Sequence, residues 1–295
     1  MPELPDIVVY LEALEKRFLG EELQGLRIAS PSVLRTYDPA YTEVVGKELL
    51  GLRRIGKRIV FEFPDDLFVV VHLMIAGRLR LDAKKPIPKK VGLAAFDFPL
   101  ASVVLTEQGT KRRAGIWVLR GEESLLAEDR GGVEPLEATP EQFAAALTAE
   151  NRTLKRALTD PRIFSGIGNA YSDEILWSAR LSPVKRTGQM DGEEIDRLRS
   201  AVVESLHAWT ERLRDEVGDG WPTKVTAFRD DMAVHGKYKE PCPRCGSPVQ
   251  RIVYASNETN YCAKCQTGGK LLADRSMSRL LKDDWPATIE DLEEA

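Results

Sequence analysis

The chain has 295 residues, 43% apolar and 30% charged, enough for two domains and a sizeable core. No run approaches the ~20 apolar residues of a membrane span and no charged-then-apolar leader opens it, so a cytoplasmic protein without membrane contact is expected. The net charge of −4 is uneven: residues 224–282 hold eleven Lys/Arg against five Asp/Glu, whereas residues 283–295 hold six acids and no base. The local basic excess keeps a nucleic-acid partner open.

In chain order, "MPELPDI" leads into "IVVYLEALEKRFLG", where Pro5 suits a first helical turn, Asp6 an electropositive N-terminus and Gly20 a stop. Taken alone, the motif is a helix start. Six runs with strand patterning follow at 58–63, 67–73, 78–82, 92–98, 101–107 and 115–120, separated by Pro, Asp and Gly turn signals. Strands at that spacing suggest a sandwich or barrel. From about residue 138 the pattern turns helical. "TPEQFAAALTAE" places Thr139 as N-cap, Pro140 in the first turn and Gln142 in a capping box. "NRTLKRALTD", "NAYSDEILWSAR" and the long run 191–218 continue the helical block. Between two helical patterns, "GIGN" can form a close turn, with Asn169 able to cap the next helix and leave N–H groups for a phosphate. An isolated Gly-x-Gly is more often only a turn, and Lys155 upstream reads as a solvated lysine.

All four cysteines lie between residues 242 and 265, spaced C-x2-C, sixteen residues, C-x2-C. Each pair sets two thiolates on one side of a knuckle, and four thiolates satisfy tetrahedral Zn²⁺. Cys242, Cys245, Cys262 and Cys265 are therefore the expected ligands of one structural zinc, on a hairpin formed by "VQRIVYA" and "NETNY". The expected architecture is α+β and multidomain. A helix plus β-sandwich covers 1–125, a helical domain 138–223, a zinc finger 228–268 and an extension with an acidic tail 269–295. In the extension, "LLADRSMSRLLKDDW" reads as a short amphipathic helix.

"MPELPDI", "GKR" at 56–58, "HLMIAGRL" at 72–79, "KRRAG" at 111–115, "SGIGNAYSDEIL" at 165–176 and "YCAKCQ" at 261–266 occur in a fixed order. Together they resemble the formamidopyrimidine-DNA glycosylase and endonuclease VIII family, over about residues 1–267. The resemblance implies a helix–two-turn–helix domain after the sandwich, a zinc finger on a β-hairpin, and glycosylase with AP-lyase activity on damaged DNA, duplex or single-stranded, in a monomer that associates with the nucleoid. It makes Pro2 the nucleophile once Met1 is trimmed, Glu3 the acid, and Lys57 a further catalytic group. With Met1 retained, the proline nitrogen is an amide and cannot attack. His72, Met74, Ile75, Arg112, Arg113, Lys155, Asn169 and Asn257 match DNA-contacting positions.

This sequence also departs from the pattern. Asp6 replaces the usual glutamate. Met74 comes one place early, so that Ile75 stands at the position of the stack-filling methionine, and Ala114 replaces an aromatic. Asn257 stands where a finger arginine is typical. The alternative reading is a non-catalytic zinc-finger binder of abasic or branched DNA.

Overall fold

The computed structural model describes residues 1–83, 86–109, 111–254, 257–273 and 286–293. The helix expected over 271–285 falls largely outside them. The chain divides into two compact units: Met1–Arg130 with Ala208–Thr226, and Gly131–His207 with Ala227–Ala295.

The first unit opens with helix α1, Leu4–Phe18, with Glu3 as N-cap, Asp6 in the first turn and Lys16 and Arg17 in the last. Ile7, Tyr10, Leu14 and Phe18 recur at helical spacing and form its buried stripe. Two four-stranded antiparallel sheets follow. In the first, β1 (Gly25–Ile28) pairs with β6 (Gly92–Asp97), β6 with β7 (Ser102–Glu107), and β7 with β5 (Gly77–Asp82). In the second the order is β2 (Gly51–Ile55), β3 (Arg58–Phe63), β4 (Leu67–His72), β8 (Gly115–Arg120). Their inner faces share one core, in which Phe61 of β3 stacks on Phe96 of β6 at 5.1 Å. The six expected strands are present within a residue at each end. The two unexpected ones, "GLRI" and "GLRRI", are short, arginine-bearing and only half-buried, so no apolar alternation betrays them.

Residues 208–226 complete this unit. Trp221 donates its indole N–H to the Leu79 carbonyl at 2.9 Å, Arg214 grips the Glu12 carboxylate, and Lys16 pairs with Asp219.

The second unit is helical, with a hairpin. Helix α2 (Glu122–Leu126) still belongs to the first unit; α3 (Pro140–Thr148), α4 (Leu154–Thr159) and α5 (Asn169–Ser178) belong to the second. Thr139 caps α3 as expected, its hydroxyl accepting from the Gln142 N–H at 3.2 Å. Helix α6, Gly192–Val217, begins in the second unit and ends in the first. The finger hairpin is β9 (Val249–Tyr254) paired with β10 (Asn257–Cys262), followed by the short α7 (Ala263–Thr267).

Candidate active site and zinc centre

In the first unit, Pro2 and Glu3 are buried where the chain enters α1. The Glu3 N–H donates to Asp6 Oδ2 at 2.9 Å, so the aspartate in the glutamate position still holds the helix start. Burial lowers the pKa of the Met1 α-amine. Glu3 and Asp6 pull it back up, while the cations Arg78 and Lys57 push it further down. Lys57 is half-buried in the β2–β3 turn, where Gly56 supplies φ +58°.

His72 ends β4 opposite Arg58 of β3. Its Nδ1 accepts the Met74 N–H at 2.9 Å. Burial, then the charges of Arg58, Lys57 and Arg130, lower its pKa to about 4, so the ring is neutral at cellular pH. Met74, matched by sequence to a DNA-contacting position, is half-buried with φ +54°. Its neighbour Ile75 occupies the tip of the β4–β5 turn, 60% exposed. Of the two, Ile75 is the more exposed.

Arg112 and Arg113 are both exposed. The loop that carries them is shaped by Glu107, a carboxylate the sequence reading did not single out. From β7 and 2% exposed, it accepts the Arg113 N–H at 2.8 Å and the Ala114 N–H at 2.9 Å. Arg35 adds bonds to the Arg113 and Ala114 carbonyls, each at 3.1 Å. Ala114 itself is buried, so this position offers nothing to a base stack.

In the second unit, Lys155 differs from the solvated lysine expected. Its ammonium is buried and donates to the Asn169 carbonyl (2.6 Å), Ser172 Oγ (2.8 Å) and Asp173 Oδ1 (2.5 Å). An ammonium has three N–H groups, and these acceptors engage all of them. Asp173, fully buried, also meets His235 Nδ1 at 2.7 Å and the Asn260 N–H at 3.2 Å. Glu174 accepts the N–H groups of Ala233, Val234 and His235 at 2.8, 2.9 and 2.9 Å. These acids bind α5 to the segment before the finger. No local pattern announces them, because their partners lie about 60 residues away in sequence.

The "GIGN" turn needs Gly166 at φ +81°. Gly168, not Asn169, is the N-cap of α5. Asn169 is the first helical residue, and its Nδ2 donates to the Glu258 carbonyl of β10 at 3.0 Å. Asn257 is exposed at the start of β10.

The four cysteine sulfurs lie within 4.8 Å of one another, with Cys245–Cys262 at 3.4 Å and Cys242–Cys265 at 4.0 Å. A tetrahedron of Zn–S bonds has S···S edges of about 3.8 Å, so the donor set fits zinc. Trp177 of α5 donates its indole N–H to Cys242 Sγ at 3.3 Å, and Gln266 links the Cys262 N–H to the Leu181 carbonyl. Such outer contacts orient the ligands.

The chain thus carries, in order, a sandwich with a buried proline–glutamate start, a helical block with a Gly-x-Gly-Asn turn, and a four-thiolate hairpin. Three family models match in order: the formamidopyrimidine-DNA glycosylase N-terminal domain over residues 1–116, its H2TH domain over 132–216, and the zinc finger found in FPG and IleRS over 239–268. The formamidopyrimidine-DNA glycosylase of Carboxydothermus hydrogenoformans is 30% identical over 274 residues, covering 90% of this chain and all of its own. That of Lactococcus lactis subsp. cremoris is 28% identical over 277 residues, covering 90% and 99%. A solved complex of the Lactococcus lactis enzyme with DNA containing an abasic site superposes with a TM-score of 0.79 at 25% identity, covering 90% and 99%. The chain belongs to the formamidopyrimidine-DNA glycosylase family, and it is a DNA glycosylase of base-excision repair with one structural zinc. Among the described residues, no helix is long and apolar enough to cross a membrane.

Proposed function

We propose that this glycosylase excises a damaged base from DNA and then cuts the strand, with Pro2 as nucleophile after Met1 is removed. It works as a cytoplasmic, nucleoid-associated monomer. The observation that carries this reading is the buried Pro2–Glu3 entry to α1, within the stretch that matches the formamidopyrimidine-DNA glycosylase N-terminal domain. A free α-amine titrates near ~8, so a useful fraction is neutral and nucleophilic at cellular pH. Trimming Met1 would turn the Pro2 amide nitrogen into such an amine.

The Pro2 nitrogen attacks C1′, and the bond from C1′ to the base breaks, the base leaving with the electron pair and taking up a proton. Glu3 delivers a proton to the ring oxygen, the sugar opens, and the nitrogen loses its proton to give an iminium at C1′. The iminium draws electrons from the C2′–H bond. Loss of that proton expels the 3′ phosphate, and water then releases Pro2.

The positive charges of Lys57 and Arg78 disfavour protonation of an amine at the chain's start. Ile75 fills the gap left by the extruded nucleotide, and Arg112 and Arg113 reach the opposite strand. His72, Asn169 and Asn257 offer neutral hydrogen bonds to backbone phosphates. Lys155 acts indirectly, by fixing the helix start beside Asn169. Abasic DNA, which the Lactococcus lactis enzyme holds in its solved complex, is the simplest substrate for this sequence of steps.

Borohydride reduction on an abasic oligonucleotide tests this. A covalent adduct whose crosslinked peptide begins at Pro2 is expected. An adduct mapping only to Lys57, or none with any lesion, overturns the assignment and favours the non-catalytic binder.

A further inference from the structure

The turn between β4 and β5 is held from both sides. Met74 sits at φ +54°, a left-handed conformation that is unfavourable for any residue with a Cβ. Its N–H is turned inward onto His72 Nδ1 at 2.9 Å. The Gly77 N–H closes the turn on the Leu73 carbonyl at 2.9 Å, and a Cβ at Gly77 would lie 2.2 Å from that same oxygen. On the far side, the Arg78 guanidinium donates to the Ile75 carbonyl at 3.2 Å and the Gly77 carbonyl at 2.6 Å. The inward-facing backbone groups are thus engaged, while Ile75 projects, 60% exposed and β-branched, with few rotamers to lose on insertion.

We infer that His72 is a positioning residue of this enzyme: its Nδ1 fixes Met74 in the left-handed conformation and so sets Ile75 as a preformed wedge for the base stack. The inference rests on the reading of the chain as a base-extruding glycosylase. A ring whose Nδ1 accepts a hydrogen bond carries its proton on Nε2, so the phosphate-facing role open to His72 is that of a neutral donor. An imidazolium cannot accept the Met74 N–H, and protonation would release the clamp. Burial and the cations Arg58, Lys57 and Arg130 keep the ring neutral down to about pH 4, below any working pH.

Two substitutions separate the two nitrogens. His72→Asn keeps an acceptor at the Nδ1 position and loses the distal donor; His72→Gln keeps a donor at the Nε2 position and loses the acceptor. A third, Met74→Gly in the His72→Gln background, lets residue 74 adopt a positive φ without the clamp. Insertion is read from a fluorescent adenine analogue stacked beside a tetrahydrofuran abasic analogue, with Ile75→Ala as the signal blank. At saturating DNA, His72→Gln is expected to insert about tenfold more slowly than the parent, the scale set by left-handed strain, and His72→Asn at least about threefold faster than His72→Gln, although loss of the Nε2 donor weakens its binding. Met74→Gly should restore most of that loss. A His72→Gln enzyme as fast as the parent overturns the inference. So does a His72→Asn enzyme slower than His72→Gln, which would make Nε2, the atom that glutamine replaces, the functional one, and so does a His72→Gln loss that Met74→Gly does not rescue. Borohydride trapping of the parent on abasic DNA is run in parallel. Trapping with a flat insertion series defeats the clamp alone, whereas absent trapping defeats the glycosylase mechanism beneath it.

Discussion

Lys57 and Lys155 are both isolated lysines in the sequence, and both match positions in DNA-handling motifs, yet the fold treats them in opposite ways. Lys57 lies half-buried in a tight turn of the first unit, where its charge acts on the amine at the chain's start. Lys155 is buried in the second unit with its ammonium on a carbonyl, a hydroxyl and a carboxylate. Two acids are likewise set apart by place: Glu3 is buried at the start of α1, and Glu174 on α5 accepts three backbone N–H groups. What a charged side chain can offer a ligand depends on where the fold sets it and on which groups it answers.

The sharpest way to break this contrast is Glu3→Gln. If Glu3 is the acid, base excision falls by at least about 100-fold, the usual scale for removing a general acid, while the melting temperature changes little. Single-turnover excision and a thermal melt on the same sample check both halves. Comparable excision by the variant would place the acid elsewhere.

The lysines themselves come next. Lys155→Met leaves Asp173 buried and stripped of its strongest partner, so unfolding free energy should drop by about 3–5 kcal/mol. Lys57→Met should cost under about 1 kcal/mol and act instead on the rate. Urea titrations of the two variants decide the matter. Equal stability losses would erase the distinction between them.

A smaller effect concerns His72. Its folded pKa of about 4 lies below the unfolded value near 6.5. The unfolded chain therefore takes up a proton first as pH falls. The stability contributed by neutral His72 is complete above pH ~6.5 and is lost progressively down to pH ~4, amounting to up to about 3 kcal/mol. Urea midpoints at pH 7 and pH 5 should show this slope in the parent and a shallower one in His72→Asn.

The least effect is expected at the finger. Asn257 is exposed and neutral, so it displaces no counterion from DNA. Asn257→Arg should tighten binding to abasic duplex and steepen log K against log[salt] by up to about 0.9, the increment for one more phosphate neutralised. An unchanged slope would mean that this strand end does not face the backbone.

Much of this was legible in the sequence, for identifiable reasons. Thr139, Pro140 and Gln142 announce their helix because a capping box is local chemistry. The cysteines announce a metal site because ligand spacing is local too. What stayed hidden depends on distant partners or on a backbone angle. Asn169 reads as a cap by residue type, yet Gly168 takes that place and frees the amide to reach β10. Asp173 and His235 meet across 62 positions, so neither marks the other. The sequence sets Ile75 at the position of the stack-filling methionine, but nothing in it announces that Met74 takes a positive φ at 54° and leaves Ile75 exposed at the turn.

The interrupted first unit also has a consequence for synthesis. Its sheets and most of its core come from residues 1–130, but Val225 joins that core, Trp221 closes on Leu79 and Arg214 on Glu12. A chain emerging from the ribosome N-terminus first exposes the sandwich long before those residues exist. The sandwich therefore waits, incomplete at the Tyr10 and Leu79 side, until roughly three-quarters of the chain has been made. A nascent chain halted before residue 208 should be far more open to protease than one halted after residue 226. The order of translation thus delays the finished first unit until the helical block has been synthesised.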